Sequence, residues 1–271
     1  TLLASSAASD VYKRQANLYG KPYHPATANE DLCVPLNKEI GLSDKMMKRA
    51  TNAAVYAQME EDINKAIQCF KAIGGEKTIF RPNLPSAYLL ASRIALFQEK
   101  YDVTILYCDS VFKVATQPLY KLQEKKDHYF FSLANKEILL SYGLTSLETH
   151  MKEDFRYTGN LVVSDDLLAL YSEDDLRLTN YFKNTIGNQT RPTNKQYSVY
   201  TPIKWTKNSA TVYANALRIS EAYLNRAEAF AELGNTNKAL ADLNELRENR
   251  MKPGTPPLAV DEDGIVATVR K

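Results

Sequence analysis

The stretch LRISEAYLNRAEAFAELGNTNKALADLNELRENR, Leu217 to Arg250, decides the fold. Ile219, Tyr223, Ala227, Phe230 and Leu233 recur at three- and four-residue steps, which aligns them on one face of a helix. Gly234 fits the left-handed turn that closes such a helix, a conformation that a Cβ disfavours. Asn235 or Thr236 can cap a return helix with the stripe Ala239, Leu243 and Leu246, and Pro253 blocks its continuation. The segment therefore reads as a helical hairpin.

A second hairpin is written upstream. Leu84, Tyr88, Ala91 and Ala95 share a face behind Pro85, a first-turn residue. Asp102 can cap the return helix, Thr104, Cys108, Val111 and Ala115 line it, and Pro118 ends it. Small residues stand where the two helices would cross. Both hairpins, 84–117 and 217–250, resemble tetratricopeptide units, helical pairs of about 34 residues. Tyr88 and Tyr223 are 135 positions apart, so the units are not in tandem as in a solenoid. Before them, Tyr56, Met59, Ile63, Ala66, Ile67 and Phe70 mark a helix over 53–72, with Ser43 or Asp44 at its start and Gly74-Gly75 at its exit. Three apolar stripes that cannot be buried singly predict an all-α fold with one helical layer. The region 117–216, loop-rich and aromatic with one short helical signal at 164–171, is predicted to lie against it as a long insertion.

Composition excludes several classes. The 271 residues carry a formal charge of +2 with Lys and Arg dispersed, which argues against a nucleic-acid partner. No run approaches the roughly 20 apolar residues of a membrane-spanning helix. Cys33, Cys69 and Cys108 are odd in number and far apart, which suits neither a disulfide framework nor a zinc site, and Cys69 and Cys108 read as small buried hydrophobes. Ser5 to Gln15 (SSAASDVYKRQ) resembles a translated linker or adaptor, so 1–16 is set aside as a non-native or linker segment and 17–271 is taken as a partial domain. Ile265, Val266 and Val269 start an apolar face that stops at Lys271, the reading of a fragment.

Catalytic chemistry finds little footing. His24, His128 and His150 are scattered, and no metal-binding, nucleophile-elbow or phosphate-loop motif occurs. No cofactor is called. Asp165, Asp166, Glu173, Asp174 and Asp175 could supply a glycosidase pair, but Ser164, Asp165 and Asp166 fit a helix start, where the dipole favours carboxylates. Tyr197, Tyr200 and Trp205, with Arg191 near them, form the candidate ligand platform, because aromatic rings offer an apolar face and a polar edge to sugars. Core packing is the competing role for each. Tyr56, Tyr88 and Tyr223 belong to the core, and Arg218 with Glu221, three apart, is expected to form a local ion pair.

Arg218-Ile-Ser-Glu-Ala-Tyr-Leu-Asn-Arg-Ala-Glu-Ala229 resembles the R-x-x-E-x-Y-L-x-x-A-E-A signature of the SusD/RagB family. Leu18-Tyr-Gly-Lys-Pro-Tyr23, Thr27-Ala28, Val34-Pro-Leu36, Arg49-Ala-Thr51, Asn135-Lys-Glu-Ile138 and Asp175-Leu-Arg177 follow the family's order. The resemblance covers about 17–271. It implies a non-catalytic, lipid-anchored outer-membrane surface protein that binds an oligosaccharide or peptide. Such a protein hands its ligand to a TonB-dependent transporter, and touches the membrane only through an N-terminal anchor. It also suggests a structural role for Trp205, since Lys204-Trp205 matches a Lys-aromatic pair of the family. The alternative class is a cytoplasmic tetratricopeptide adaptor for a peptide, which tandem repeats would favour.

Overall fold

A computed structural model describes residues 2–37, 46–74, 78–124, 130, 134–142, 163–187, 197–202, 216–261 and 263–270. Its main body is a layer of helices: α1 (Leu2–Tyr19), α2 (Asn52–Ile73), α3 (Leu84–Phe97), α4 (Tyr101–Val114), α7 (Ile219–Glu232) and α8 (Thr236–Glu248), with a short α9 (Ile265–Arg270) against α7. Between α1 and α2 runs a small antiparallel pair, β1 (Leu32–Pro35) with β2 (Arg49–Thr51). Between α4 and α7 lie β3 (Ile138–Ser141), α5 (Asp165–Ala169), α6 (Leu176–Tyr181), β4 (Phe182–Gly187), β5 (Tyr197–Pro202) and β6 (Ala216–Arg218).

The α2 helix starts where Thr51 accepts a hydrogen bond from the Ala54 amide at 3.2 Å, and Gly74 closes it at φ 76°. Ser43, Asp44 and Gly75, the boundary residues expected from sequence, lie outside the described residues. Its buried face holds Val55, Tyr56, Met59, Ile63, Ala66, Ile67 and Phe70. Cys69 falls off that face and is exposed, against expectation, whereas Cys33 and Cys108 are buried. Burial pushes the Cys108 thiol up to about 12.

The two hairpins are copies of one unit. The helices of α3–α4 start at 84 and 101, those of α7–α8 at 219 and 236, a constant offset of 135. Both turns close alike. The Glu99 amide donates to Leu96 O and Lys100 to Ala95 O, just as Gly234 donates to Ala231 O and Asn235 to Phe230 O. Each is a complete pair of bonds from the two residues past the helix to its last turn. Gly234 takes φ 74° freely, but in the first copy Glu99 holds φ 61°, the one non-glycine positive φ among the described residues. Neither return helix uses the side-chain cap expected at Asp102 or at Asn235 and Thr236.

Although separated in sequence, the hairpins stack directly through α4 and α7. Phe112 meets Tyr223 at 4.5 Å between ring centroids. Arg226 donates to Asp242 on α8 (2.6 and 2.8 Å) and Asp109 on α4 (2.5 Å), while its guanidinium lies 4.4 Å from the Phe112 ring centre. Glu221 binds Arg93 of α3 with both oxygens at 2.6 Å, so the expected pairing with Arg218 is replaced by one across helices. With α4, α8, α3 and α9 around it, α7 buries Ala222, Ala227, Ala229 and Ala231 and leaves Leu233 exposed, so its core face is wider than the stripe expected. Ala227 is 0% exposed.

Two stability measurements follow. Ala227→Leu overpacks this junction and costs roughly 1–3 kcal/mol by denaturant titration. Glu99→Gly relieves the left-handed strain and raises stability by roughly 0.5–1 kcal/mol in the same assay. An unchanged midpoint for the first, or a lowered one for the second, contradicts the packing described.

Candidate functional site

The insertion is fastened to the helical layer by a strand pair at its return. β3 and β6 pair antiparallel, with Ile138 opposite Arg218 and Ser141 opposite Ala216. The Ser141 amide donates to Ile79 O at 2.7 Å, and the Asn83 side chain, which caps α3, donates to Leu139 O at 2.8 Å. Ile138, Leu139 and Leu140 are buried, and Leu139 and Leu140 join the main core with Leu217 and Ile219.

A buried polar hub stands at this junction. Glu137, 0% exposed, receives the Arg250 guanidinium at 2.5 Å and the Tyr120 amide at 2.6 Å on one carboxylate oxygen. Arg250 also donates to Tyr120 O. The Glu137 amide donates to the Asn135 side chain at 3.0 Å, and Asn135 donates to Phe130 O at 2.9 Å. Behind them Arg218 lies 5.3 Å and Arg250 5.9 Å from the centre of the Phe130 ring. Burial pushes the Arg218 pKa down, and the nearby charge of Glu137 opposes that.

The backbone around Arg250 repeats the connection. Leu122 N donates to Asn249 O, Leu176 N to Arg250 O and Lys252 N to Asp174 O. The Asp175 carboxylate accepts the Arg177 amide at 2.9 Å and its guanidinium at 2.6 Å, which sets the start of α6. Four short motifs of the sequence thus meet in one place: Asn135–Ile138, Asp175–Arg177, Arg218 and the end of the Leu243–Arg250 stretch. Their role is structural, a point that the sequence reading did not reach.

From the hub α6 runs straight into β4. Tyr181 and Phe182 are buried with Tyr120 and Leu122 in a second, smaller cluster, against which Phe130, Val163 and Tyr171 pack. Phe130 sits 5.1 Å from Tyr181 and 5.6 Å, edge on, from Tyr120. Burial raises the Tyr181 pKa. β4 then pairs with β5 as an antiparallel ribbon, in unbroken register from Phe182 opposite Pro202 to Gly187 opposite Tyr197. Five residue steps carry it about 17 Å from its root.

This ribbon carries two of the four expected platform positions. Tyr200 is opposite Asn184, and Tyr197 is opposite Gly187 at the ribbon's far end. Arg191 and Trp205 lie outside the described residues, as do His128 and His150. The ribbon itself was missed in the sequence, which was read there as loop. The β-branched residues Thr185, Ile186, Val199 and Thr201 were the available signal.

The acidic cluster has other duties. Ser164 caps α5 by accepting from Leu167 N at 3.3 Å, with Asp165 and Asp166 in its first turn. Asp174 faces Lys252 at 3.4 Å, and Asp175 belongs to the hub. His24 accepts a backbone bond from Ala26 in a local turn. Among the described residues no three His, Cys, Asp or Glu side chains gather as a metal site, and no helix is long and apolar enough to cross a membrane. A cleft of about 760 Å³ lies against the hub's outer side, between Gln123, Arg247, Glu248 and Pro253.

The hub's worth can be measured. Arg250→Ala leaves the Glu137 carboxylate buried without its cation and costs roughly 3–5 kcal/mol of stability. The double substitution Glu137→Gln with Arg250→Met recovers part of it, as read by chemical denaturation. A loss under about 1 kcal/mol in Arg250→Ala contradicts this assignment.

Comparison with known proteins places this architecture. Residues 141–270 match the sequence model of the SusD family. A SusD superfamily protein of Bacteroides thetaiotaomicron superposes with a TM-score of 0.79 at 21% identity, over 99% of this chain and 63% of that one. A SusD-like carbohydrate binding protein of Bacteroides vulgatus gives 0.75 at 18% identity, over 99% and 58%. The surface glycan-binding protein A of Bacteroides uniformis gives 0.66 at 17%, over 99% and 62%. The chain therefore spans about 60% of the length of these structures. Among curated proteins no sequence matches it.

Proposed function

We propose, from the match of residues 141–270 to the SusD family and the fold shared with its members, that the protein is a surface glycan-binding component of an uptake system and works without cleaving its ligand. The observation that carries this reading is the β4–β5 ribbon, which bears Tyr197 and Tyr200 and is rooted beside the buried hub through Tyr181 and Phe182. Neighbours of the same fold include a SusD-like carbohydrate binding protein and a surface glycan-binding protein. On this reading Tyr197, Tyr200, Trp205 and Arg191 are the ligand-binding residues. Rings stack on the C–H faces of an oligosaccharide, and the guanidinium donates to its hydroxyls.

The wider setting belongs to the same proposal. The protein sits on the outer membrane through a lipid anchor and passes its ligand to a TonB-dependent transporter. The tetratricopeptide adaptor is the weaker reading, since the two hairpins stack with the insertion rising between them and form no longer array among the described residues.

Tyr200→Ala lowers glycan affinity by about 5- to 30-fold, the loss of roughly 1–2 kcal/mol from one aromatic contact. Calorimetric titration of both proteins against a glycan panel, with product analysis of the same mixtures, reads it. Unchanged affinity in a folded variant removes Tyr200 from the site. Released sugar refutes the non-catalytic claim.

A further inference from the structure

The β4–β5 ribbon is entered through two residues, Tyr181 at the end of α6 and Phe182 at the start of β4. There the backbone passes from helix to extended, with Phe182 at φ −129° and ψ 147°. Both side chains are buried, and each meets a different ring. The Phe130 ring centre lies 5.1 Å from that of Tyr181, and the Tyr171 ring meets Phe182 edge on at 5.6 Å. Phe130 and Tyr171 are half-buried and lie outside the ribbon.

Both rings are anchored to the hub and its neighbours. Phe130 touches Tyr120 edge on at 5.6 Å, and its carbonyl accepts from the Asn135 side chain at 2.9 Å. Its ring also lies within cation–π reach of Arg250, the partner of Glu137, at 5.9 Å. Tyr171 lies 5.1 Å from the guanidinium of Arg177, which Asp175 holds at 2.6 Å. A single contact at its root would leave the ribbon free to swing about that contact. Two contacts, made by adjacent residues to different partners, remove this freedom. The ribbon's length makes the restraint matter, because a tilt of about 10° at the root shifts the far end by about 3 Å over roughly 17 Å. A gap of about 0.5–1 Å already forfeits roughly a quarter to a half of a dispersion contact.

We propose that Phe130 and Tyr171 are positioning residues of the ligand platform: they grip Tyr181 and Phe182, and so hold the ribbon that bears Tyr197 and Tyr200 at the angle that binding requires. The proposal rests on the glycan reading of that ribbon. It gives the hub a second duty, since the groups that fasten the insertion also aim its recognition element.

Two readings on the full chain test this. Spin labels on Cys69, exposed on α2, and on Ser198→Cys in β5 report the ribbon's position without ligand, by pulsed dipolar spectroscopy. Phe130→Leu and Tyr171→Leu keep apolar bulk but lose the ring, and they broaden the distance distribution. Phe130→Tyr and Tyr171→Phe keep the ring and leave it unchanged. Calorimetry with the oligosaccharide that the unsubstituted chain binds most tightly gives the second reading. Each leucine variant lowers affinity by about 3- to 10-fold, and each ring-keeping variant by less than about 2-fold. Phe130→Leu combined with Tyr200→Ala loses less than the product of the two single losses, because the first acts through the platform. Exchange protection of the Ala227 amide is the same in all variants. Unchanged distances or unchanged affinity in both leucine variants overturns the proposal. An affinity loss accompanied by lost Ala227 protection assigns the rings to stability alone and overturns it too. If the unsubstituted chain binds no glycan, the glycan reading itself falls, and the proposal with it.

Discussion

The Arg250–Glu137 pair is the constraint on which the rest of the insertion depends. A carboxylate that is fully buried must be matched by a cation and by further donors, or its desolvation would unfold the region around it. Here the match comes from two distant parts of the chain, the amide of Tyr120 and the guanidinium of Arg250, which meet on one carboxylate oxygen. The Asn135 side chain holds the amide of Glu137 itself. Arg250 reaches Glu137 from the turn just past the end of α8. The hub therefore couples the insertion to the second hairpin, and the ribbon inherits its position from that coupling.

The hairpins explain how so long an insertion is tolerated. Two copies of one unit, offset by 135 residues, meet through α4 and α7 as neighbouring repeats do. Repeat stacking needs only the nearest neighbour, so chain inserted between two units does not disturb their contact if it leaves and returns at one edge. The β3–β6 pair brings residues 138–141 of the insertion beside its return at 216–218, on that edge. What the insertion carries can then vary in sequence without cost to the helical layer, which suits a recognition element.

Much of the helical layer was legible in the sequence because its period is strong and its breaks are chemical. Pro85, Gly74 and Gly234 mark ends, and the stripes at Tyr56–Phe70 and Thr104–Val111 are the buried faces found. Failures came where tertiary contacts overrode local pattern. Glu221 has a nearer helical neighbour in Arg218 but a better bidentate one in Arg93. Cys69 sits beside buried Phe70 yet points away from it. The short motifs around Asn135, Asp175, Arg218 and Arg250 were visible one by one, but nothing local says that they converge. Of the candidate platform, the strand bearing Tyr197 and Tyr200 could have been read from its β-branched partners, whereas its register depends on pairing across the nine residues between the strands.

Native-state hydrogen exchange at single-residue resolution tests the hub most directly. The amides of Leu122, Leu176 and Ile219, which donate to Asn249, Arg250 and Glu137, report on the insertion's attachment, and that of Ala227 reports on the helical core. If the hub joins them into one cooperative unit, all four exchange with the same opening free energy and the same denaturant dependence. Fast exchange of Leu122 and Leu176 while Ala227 stays protected would contradict the account, because the insertion would then open independently of the hairpins.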